Sequence, residues 1–181
     1  HHKGQISLPG GVLETGESLE SAALRETQEE IGVDKKNIHL IGALSSFYIP
    51  VSGFEMFPFI GWVKNKPKIS INNKEVDQIF SSSIQEFMLE KTQKIKKETL
   101  RGFPVNIPYF EMNGEIVWGA TSMVLAEFKF AFDPFDRDFE ADDGAQHAVD
   151  ILRLDTLHCP RCVEWRLVMV DQLLLSRIHC I

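Results

Sequence analysis

The sequence predicts an α/β fold, and three observations carry that expectation. Short apolar and β-branched runs at residues 5–8, 38–45, 55–63 and 76–80 read as strands. Residues 19–31 read as a helix, with Ser18 placed to cap its start and Gly32 to stop it. Residues 121–132 are apolar over a further helix length. Strands mixed with helices on two sides suit a layered sandwich around a core.

Along the chain, strand 5–8 runs into Pro9, Gly10 and Gly11. These read as a tight turn whose glycines also let backbone approach a ligand closely. Residues 83–100 read as a second helix, with Ile84, Phe87 and Met88 on one side and lysines further along. Segments 107–110 and 115–118 flank Asn113-Gly114, a strong hairpin signal. The helix over 121–132 follows. The chain changes character near Asp133. Residues 1–132 hold all twelve lysines and two arginines, whereas 133–181 hold no lysine, five arginines and all three cysteines. Two units are therefore expected, a domain over 1–132 and an extension over 133–181. Composition leaves open whether the extension is family-specific, an added segment or sequence from another reading frame.

The chemistry concentrates between Gly11 and Val33. Glu26, Glu29 and Glu30 stand at i, i+3 and i+4 on the predicted helix and project from one face. Leu24, Thr27 and Ile31 fall on another face, suited to packing on a sheet. Like charges this close repel, and a hard cation with oxygen ligands offsets the repulsion. Arg25, four residues before Glu29, can orient Glu17 or Glu29 through a forked pair. Three glutamates alone would more often be a solvated helix face. Glu17 and the flanking glycines at fixed offsets favour the metal seat.

These offsets resemble the Nudix box, G-x5-E-x7-R-E-U-x-E-E-x-G-U, where U is a bulky aliphatic. Gly11, Glu17, Arg25, Glu26, Glu29, Glu30 and Gly32 fill its seven fixed places, and Val33 fills the last U. Thr27 departs from the pattern at the first U, a mild loss of apolar packing. The resemblance implies an α/β/α sandwich with a mixed β-sheet and hydrolysis of a small-molecule diphosphate with Mg²⁺ or Mn²⁺. Glu26, Glu29 and Glu30 would hold metal, the Gly11 carbonyl would join its shell, and one glutamate would take a proton. Glu17 and Arg25 would support them.

A narrower resemblance is to the coenzyme A diphosphatase branch. Gly4, Gln5, Ile6, Ser7, Leu8, Pro9, Gly10 and Gly11 look like the end of its extra signature, L-L-T-x-R-[S/A]-x3-R-x3-G-x3-F-P-G-G, with Leu8 where the branch has Phe. The chain thus opens inside that signature, and a first strand is expected to be missing. Downstream, residues 57–63 look like the branch's central strand. Glu75-Val76 resembles its short Glu-Val motif, and residues 118–121 its Trp-Gly-x-Thr motif. The branch implies cleavage of coenzyme A or an acyl-CoA to 3′,5′-ADP and a phosphopantetheine. The box itself reads the diphosphate and not its substituents. ADP-ribose, an oxidised nucleotide, or a binding module without turnover therefore stay open. Glu75 is a further ligand or base, or else a surface glutamate. Lys3 and Arg101 are candidates to meet a 3′-phosphate, or plain surface charge.

A formal charge of −7 argues against a general nucleic-acid binder. No apolar run approaches the roughly 20 residues that span a bilayer. Three cysteines suit a reducing, cytoplasmic setting better than a disulfide scaffold. Nothing in the sequence sets an oligomeric state. His158, Cys159, Cys162, His179 and Cys180 offer enough ligands for zinc, but only one Cys-x-x-Cys knuckle is present, and idle thiols are the plainer reading. The last residues, Leu173-Leu-Leu-Ser-Arg177-Ile-His-Cys-Ile181, loosely resemble the L-L-T-x-R part of the signature absent at the start. Either a leucine-rich end matches by chance, or the tail supplies the missing edge strand, as in a circular permutation. A helical tail, or one unpaired with the sheet, would exclude the second.

Overall fold

A computed structural model describes residues 5–100, 102–132, 163–170 and 172–178. In chain order the elements are β1 (Ile6–Ser7), β2 (Gly10–Val12), α1 (Leu19–Ile31), β3 (Ile38–Ala43), β4 (Phe47–Ile49), β5 (Phe54–Val63), β6 (Val76–Ser83) and α2 (Ile84–Phe87). There follow β7 (Gln93–Leu100), β8 (Phe103–Met112), β9 (Glu115–Trp118), α3 (Ala120–Phe132), β10 (Val163–Val170) and β11 (Gln172–Ile178). They form an α/β fold with mixed strand pairing.

Strand β5 organises the interior. Successive side chains of a strand point to opposite faces, and β5 buries both. Phe57, Phe59 and Val63 enter one cluster with Ala22, Ala23 and Ile31 of α1. Met56 and Ile60 enter the other, with Val124, Leu125 and Phe128 of α3. The two helices thus cover opposite faces of the sheet, the sandwich the sequence implies. In the second cluster the rings of Phe87 and Phe110 lie 5.3 Å apart, and those of Phe87 and Phe128 6.0 Å. Lys129, nearly buried there, donates from Nζ to the Leu89 carbonyl at 2.9 Å.

Strand order is β2-β10-β5-β3 in one sheet, with β4 also on β5, β1-β11-β6 in a second and β7-β8-β9 in a third. Strand β10 runs parallel to β5 from Val163↔Glu55 to Val170↔Trp62. The other described pairings are antiparallel. The described tail residues, which the sequence left as either a chance match or the missing edge strand, are extended and paired, but β11 lies between β1 and β6 and β10 between β2 and β5. Both are interior strands. The other tail reading, the Cys/His group, lies outside the described residues.

Two local expectations need correction. The helix expected over 83–100 is helical only at Ile84–Phe87; a 3₁₀ turn follows, and Gln93–Leu100 is a strand. Lysine and glutamate favour helix there, yet β8 offers a full antiparallel ladder, Gln93↔Phe110 to Leu100↔Phe103, and tertiary pairing overrides propensity. Gly10 and Gly11 are not a tight turn but strand residues paired with β10. The hairpin at Asn113-Gly114 is as expected, both residues having positive φ, 53° and 79°.

Helix α1 is held as its sequence predicts. The Ser18 hydroxyl accepts from Ser21 N at 3.2 Å, and Gly32 closes the helix at φ 71° with its N–H donating to the Gln28 carbonyl. At Gly32 a Cβ would press on the backbone of Ser70, whereas Gly16, also at positive φ, faces open space. Gly16→Ala is expected to cost about 1 kcal/mol from the left-handed backbone alone. Gly32→Ala is expected to cost about 3 kcal/mol, because crowding adds to the same backbone term. Urea denaturation of both variants measures the difference, and equal losses would contradict it.

Candidate functional site

The site forms where α1 crosses β2. Helix periodicity sets Glu26, Glu29 and Glu30 on the side of α1 that meets the glycine strand, while Thr27 and Ile31 turn into the core. Thr27 stands where the motif expects an aliphatic. It is fully buried and satisfies its hydroxyl by donating to the Ala23 carbonyl at 2.7 Å. The departure therefore leaves no orphaned polar atom.

Arg25 ties the acidic groups together. Its Nε and Nη2 donate to the two oxygens of Glu17 at 3.0 and 3.1 Å, a forked pair. Its Nη1 donates to Glu26 Oε1 at 2.9 Å and to Glu29 Oε2 at 3.1 Å. Its Nη2 also reaches the Val12 carbonyl at 3.4 Å. The Arg25 bond holds the Glu17 carboxyl below its ordinary value. Bonds to Glu17 and Glu26 in turn raise Arg25, which stays charged. Glu26 moves the other way: burial pushes its carboxyl up, the neighbouring Glu29 and Glu75 charges add to the rise, and Arg25 opposes it.

The glycine strand receives the carboxylates. Gly10 N donates to Glu30 Oε2 at 3.3 Å. Glu30 is buried, and its backbone carbonyl accepts from Asn72 N at 3.1 Å. A Cβ added at Gly11 would collide with the Glu26 carboxylate. The approach that sequence reasoning asked of the glycines is therefore made by the protein's own acid groups. Asn72 also bonds Glu75, its Nδ2 donating to Oε2 at 3.2 Å. The loop bearing Glu75 is thereby docked on the end of α1, close enough for Glu75 to act on Glu26.

Of the residues the sequence singled out, the structure gathers Gly11, Glu17, Arg25, Glu26, Glu29, Glu30 and Glu75. Lys3 and Arg101 lie outside the described residues. Sequence reasoning missed Asn72 and the Val12 carbonyl. The first had a signal in its place three residues before Glu75; the second, a backbone atom, had none. Among the described residues no three acidic, histidine or cysteine side chains already converge on one point; Glu17, Glu26 and Glu29 each bond Arg25 instead. The donor set is nevertheless all oxygen, carboxylates beside glycine backbone, and fits a hard divalent cation. A separate cleft of about 680 Å³ lies past Gly32, lined by Lys36, Lys64, Lys66 and Lys68. None of the site's carboxylates lines it.

Glu17→Gln would remove the charge from the forked partner of Arg25 and leave Glu26 and Glu29 as its ionic partners; it is expected to weaken Mn²⁺ binding about 10- to 100-fold, the scale for a residue that orients a ligand. Titration calorimetry reads this directly. The Glu17 contribution to stability is present above its unfolded value and lost as pH falls through its lower folded value. The same variant should therefore show a smaller acid-side drop in Tm than the parent.

A family model described as NUDIX domain matches residues 1–103. Nudix hydrolase 3 of Caenorhabditis elegans is 31% identical over 140 residues, covering 68% of this chain and 58% of that protein. The relative called Uncharacterized Nudix hydrolase NudL, from Pectobacterium atrosepticum, is 29% identical over 127 residues, covering 68% and 65%. Mitochondrial coenzyme A diphosphatase NUDT8 of Mus musculus is 29% identical over 130 residues, covering 68% and 60%. The chain thus spans less than two thirds of the length of each of these relatives.

Proposed function

The chain belongs to the Nudix family, and we propose that it hydrolyses a diphosphate linkage with a divalent metal, Mg²⁺ or Mn²⁺, in coenzyme A or an acyl-CoA. One observation carries the chemistry: Glu26 and Glu30 of one helix lie against the Gly10–Gly11 backbone, and Arg25 ties Glu26 to the more exposed Glu29 beside them. Glu26, Glu29 and Glu30 would hold the metal, with the Gly11 carbonyl beside them. When bound, the metal neutralises charge on the diphosphate and acidifies water for attack on phosphorus.

The chain's own residues supply positioning, which does most of the work in phosphoryl transfer. Arg25 fixes the spacing of Glu17, Glu26 and Glu29. The Gly10 amide fixes one oxygen of Glu30. Glu26, whose carboxyl burial pushes up, takes up a proton more readily than a solvated carboxylate. Glu75, steered by Asn72, stands close as a second acid-base group.

The coenzyme A assignment is supported by the residues that resemble that branch and by the activity in the mouse relative's name. Among the described residues no helix is long and apolar enough to cross a membrane. The cysteine content suits the cytoplasm, while the mouse relative's name places that protein in mitochondria. The chemistry is the same in either compartment.

Incubation of the protein with Mg²⁺ and coenzyme A, beside ADP-ribose, tests the proposal by chromatography of products. Release of 3′,5′-ADP is expected. In Glu29→Gln it should fall on the order of 100-fold or more at unchanged Tm, the scale of losing a positioned catalytic group. Cleavage of ADP-ribose alone would keep the reaction and discard the substrate. Cleavage of neither would leave a binding module.

A further inference from the structure

We propose that the last described strands, residues 163–170 and 172–178, are a working part of the catalytic centre, the clamp that holds the glycine strand against α1. Its effect on turnover rests on the diphosphatase reading; the clamp itself stands on strand pairing alone.

Strand β2 is three residues long and two of them are glycine, the residue that gives up most backbone freedom on ordering. Such a strand has no stability of its own. Its sheet partner among the described residues is β10, with Val12↔Glu164, Gly11↔Trp165 and Gly10↔Arg166. Strand β10 is in turn laddered along its whole length to β5, the strand buried on both faces. The position of β2 is therefore referenced to the core through β10.

All three residues of β2 touch the acidic cluster. Gly10 N donates to Glu30, Gly11 lies against the Glu26 carboxylate, and the Val12 carbonyl accepts from Arg25. Moving β2 by even an ångström would disturb each of them. The same segment reaches the other side of the site. In β11, Ile178 pairs with Val76, the neighbour of Glu75, and Arg177 and Ser176 pair with Ile6 and Ser7 just ahead of the glycines. One run of backbone thus sets both the glycine strand and the start of the strand that follows Glu75. These strands come last in the sequence yet lie inside the sheets, between strands made much earlier.

Two arms test the clamp. The first places Trp165→Pro opposite Gly11, beside Thr99→Pro in the edge strand β7 as a remote control, since proline disrupts an interior strand and is tolerated at an edge. Hydrogen exchange is read on the amides of residues 10–12 and on α1. Exchange at 10–12 should quicken at least tenfold in Trp165→Pro and not in Thr99→Pro, and Mn²⁺ affinity should fall at least tenfold with it. Unchanged protection and affinity in a folded Trp165→Pro protein would overturn the proposal. The second arm serves if that variant does not fold. A protease site inserted between residues 144 and 145 of the full chain is cut after folding, and the C-terminal piece is removed in urea. Protection at 10–12 and Mn²⁺ affinity should be lost together and return when the piece is added back. Retention of both without the piece, or no return on adding it back, would overturn the clamp. A parent protein that binds Mn²⁺ in this segment-dependent way but cleaves no diphosphate would sink the functional reading and leave the clamp standing.

Discussion

A single guanidinium governs the site. Arg25 bonds Glu17, Glu26 and Glu29 and touches the Val12 carbonyl, while Glu30 and Glu75 stand nearby. Five carboxyl groups against one fixed positive charge leave a local excess of negative charge, in a corner where burial already disfavours the charged form of Glu26. Charges in such a place interact more strongly than in water. The excess is relieved by protonating Glu26 or by a cation. The rise of Glu26 and the fitness of the corner for a divalent ion are two responses to one constraint. The arginine fork ties Glu17, Glu26 and Glu29 to one guanidinium, and a cation would have to draw the carboxylates the rest of the way together.

The same crowding explains the glycines. A carboxylate can lie against backbone only where no Cβ intervenes, and Gly11 is such a place. The strand that provides this contact gains little from its own residues, so its place must be enforced by others. Chemistry at one surface of β2 thus creates a structural demand at its edge, and β10 meets it.

Much of the site was legible in the sequence because its spacing is local. Glu26, Glu29 and Glu30 share a helix face through periodicity alone, and Ser18 and Gly32 bracket that helix through cap chemistry. Less was legible wherever a distant partner decided the outcome. Residues 93–100 carry helix-favouring lysines but lie in a β-ladder because β8 is there to pair with. Pro9-Gly10-Gly11 looks like a turn, and only the arrival of residues 164–166 makes Gly10 and Gly11 strand. Strand β4, three residues long, has too short a pattern to be seen without its partner β5.

The tail sharpens this contrast. Its likeness to the start of a signature is a few residues long, and a short register specifies little. Its composition, arginine without lysine, pointed towards a separate unit instead. Yet β10 and β11 lie between strands from the first half of the chain, a placement visible only in space. The family model ends at residue 103 and so covers the box and the Glu75 loop but not the strands that brace them. The residues that would do the chemistry lie in one contiguous stretch, and their support lies at the far end of the chain. Sequence resemblance finds the first because chemistry fixes side-chain identity. It misses the second because a backbone ladder asks for extended conformation and little else.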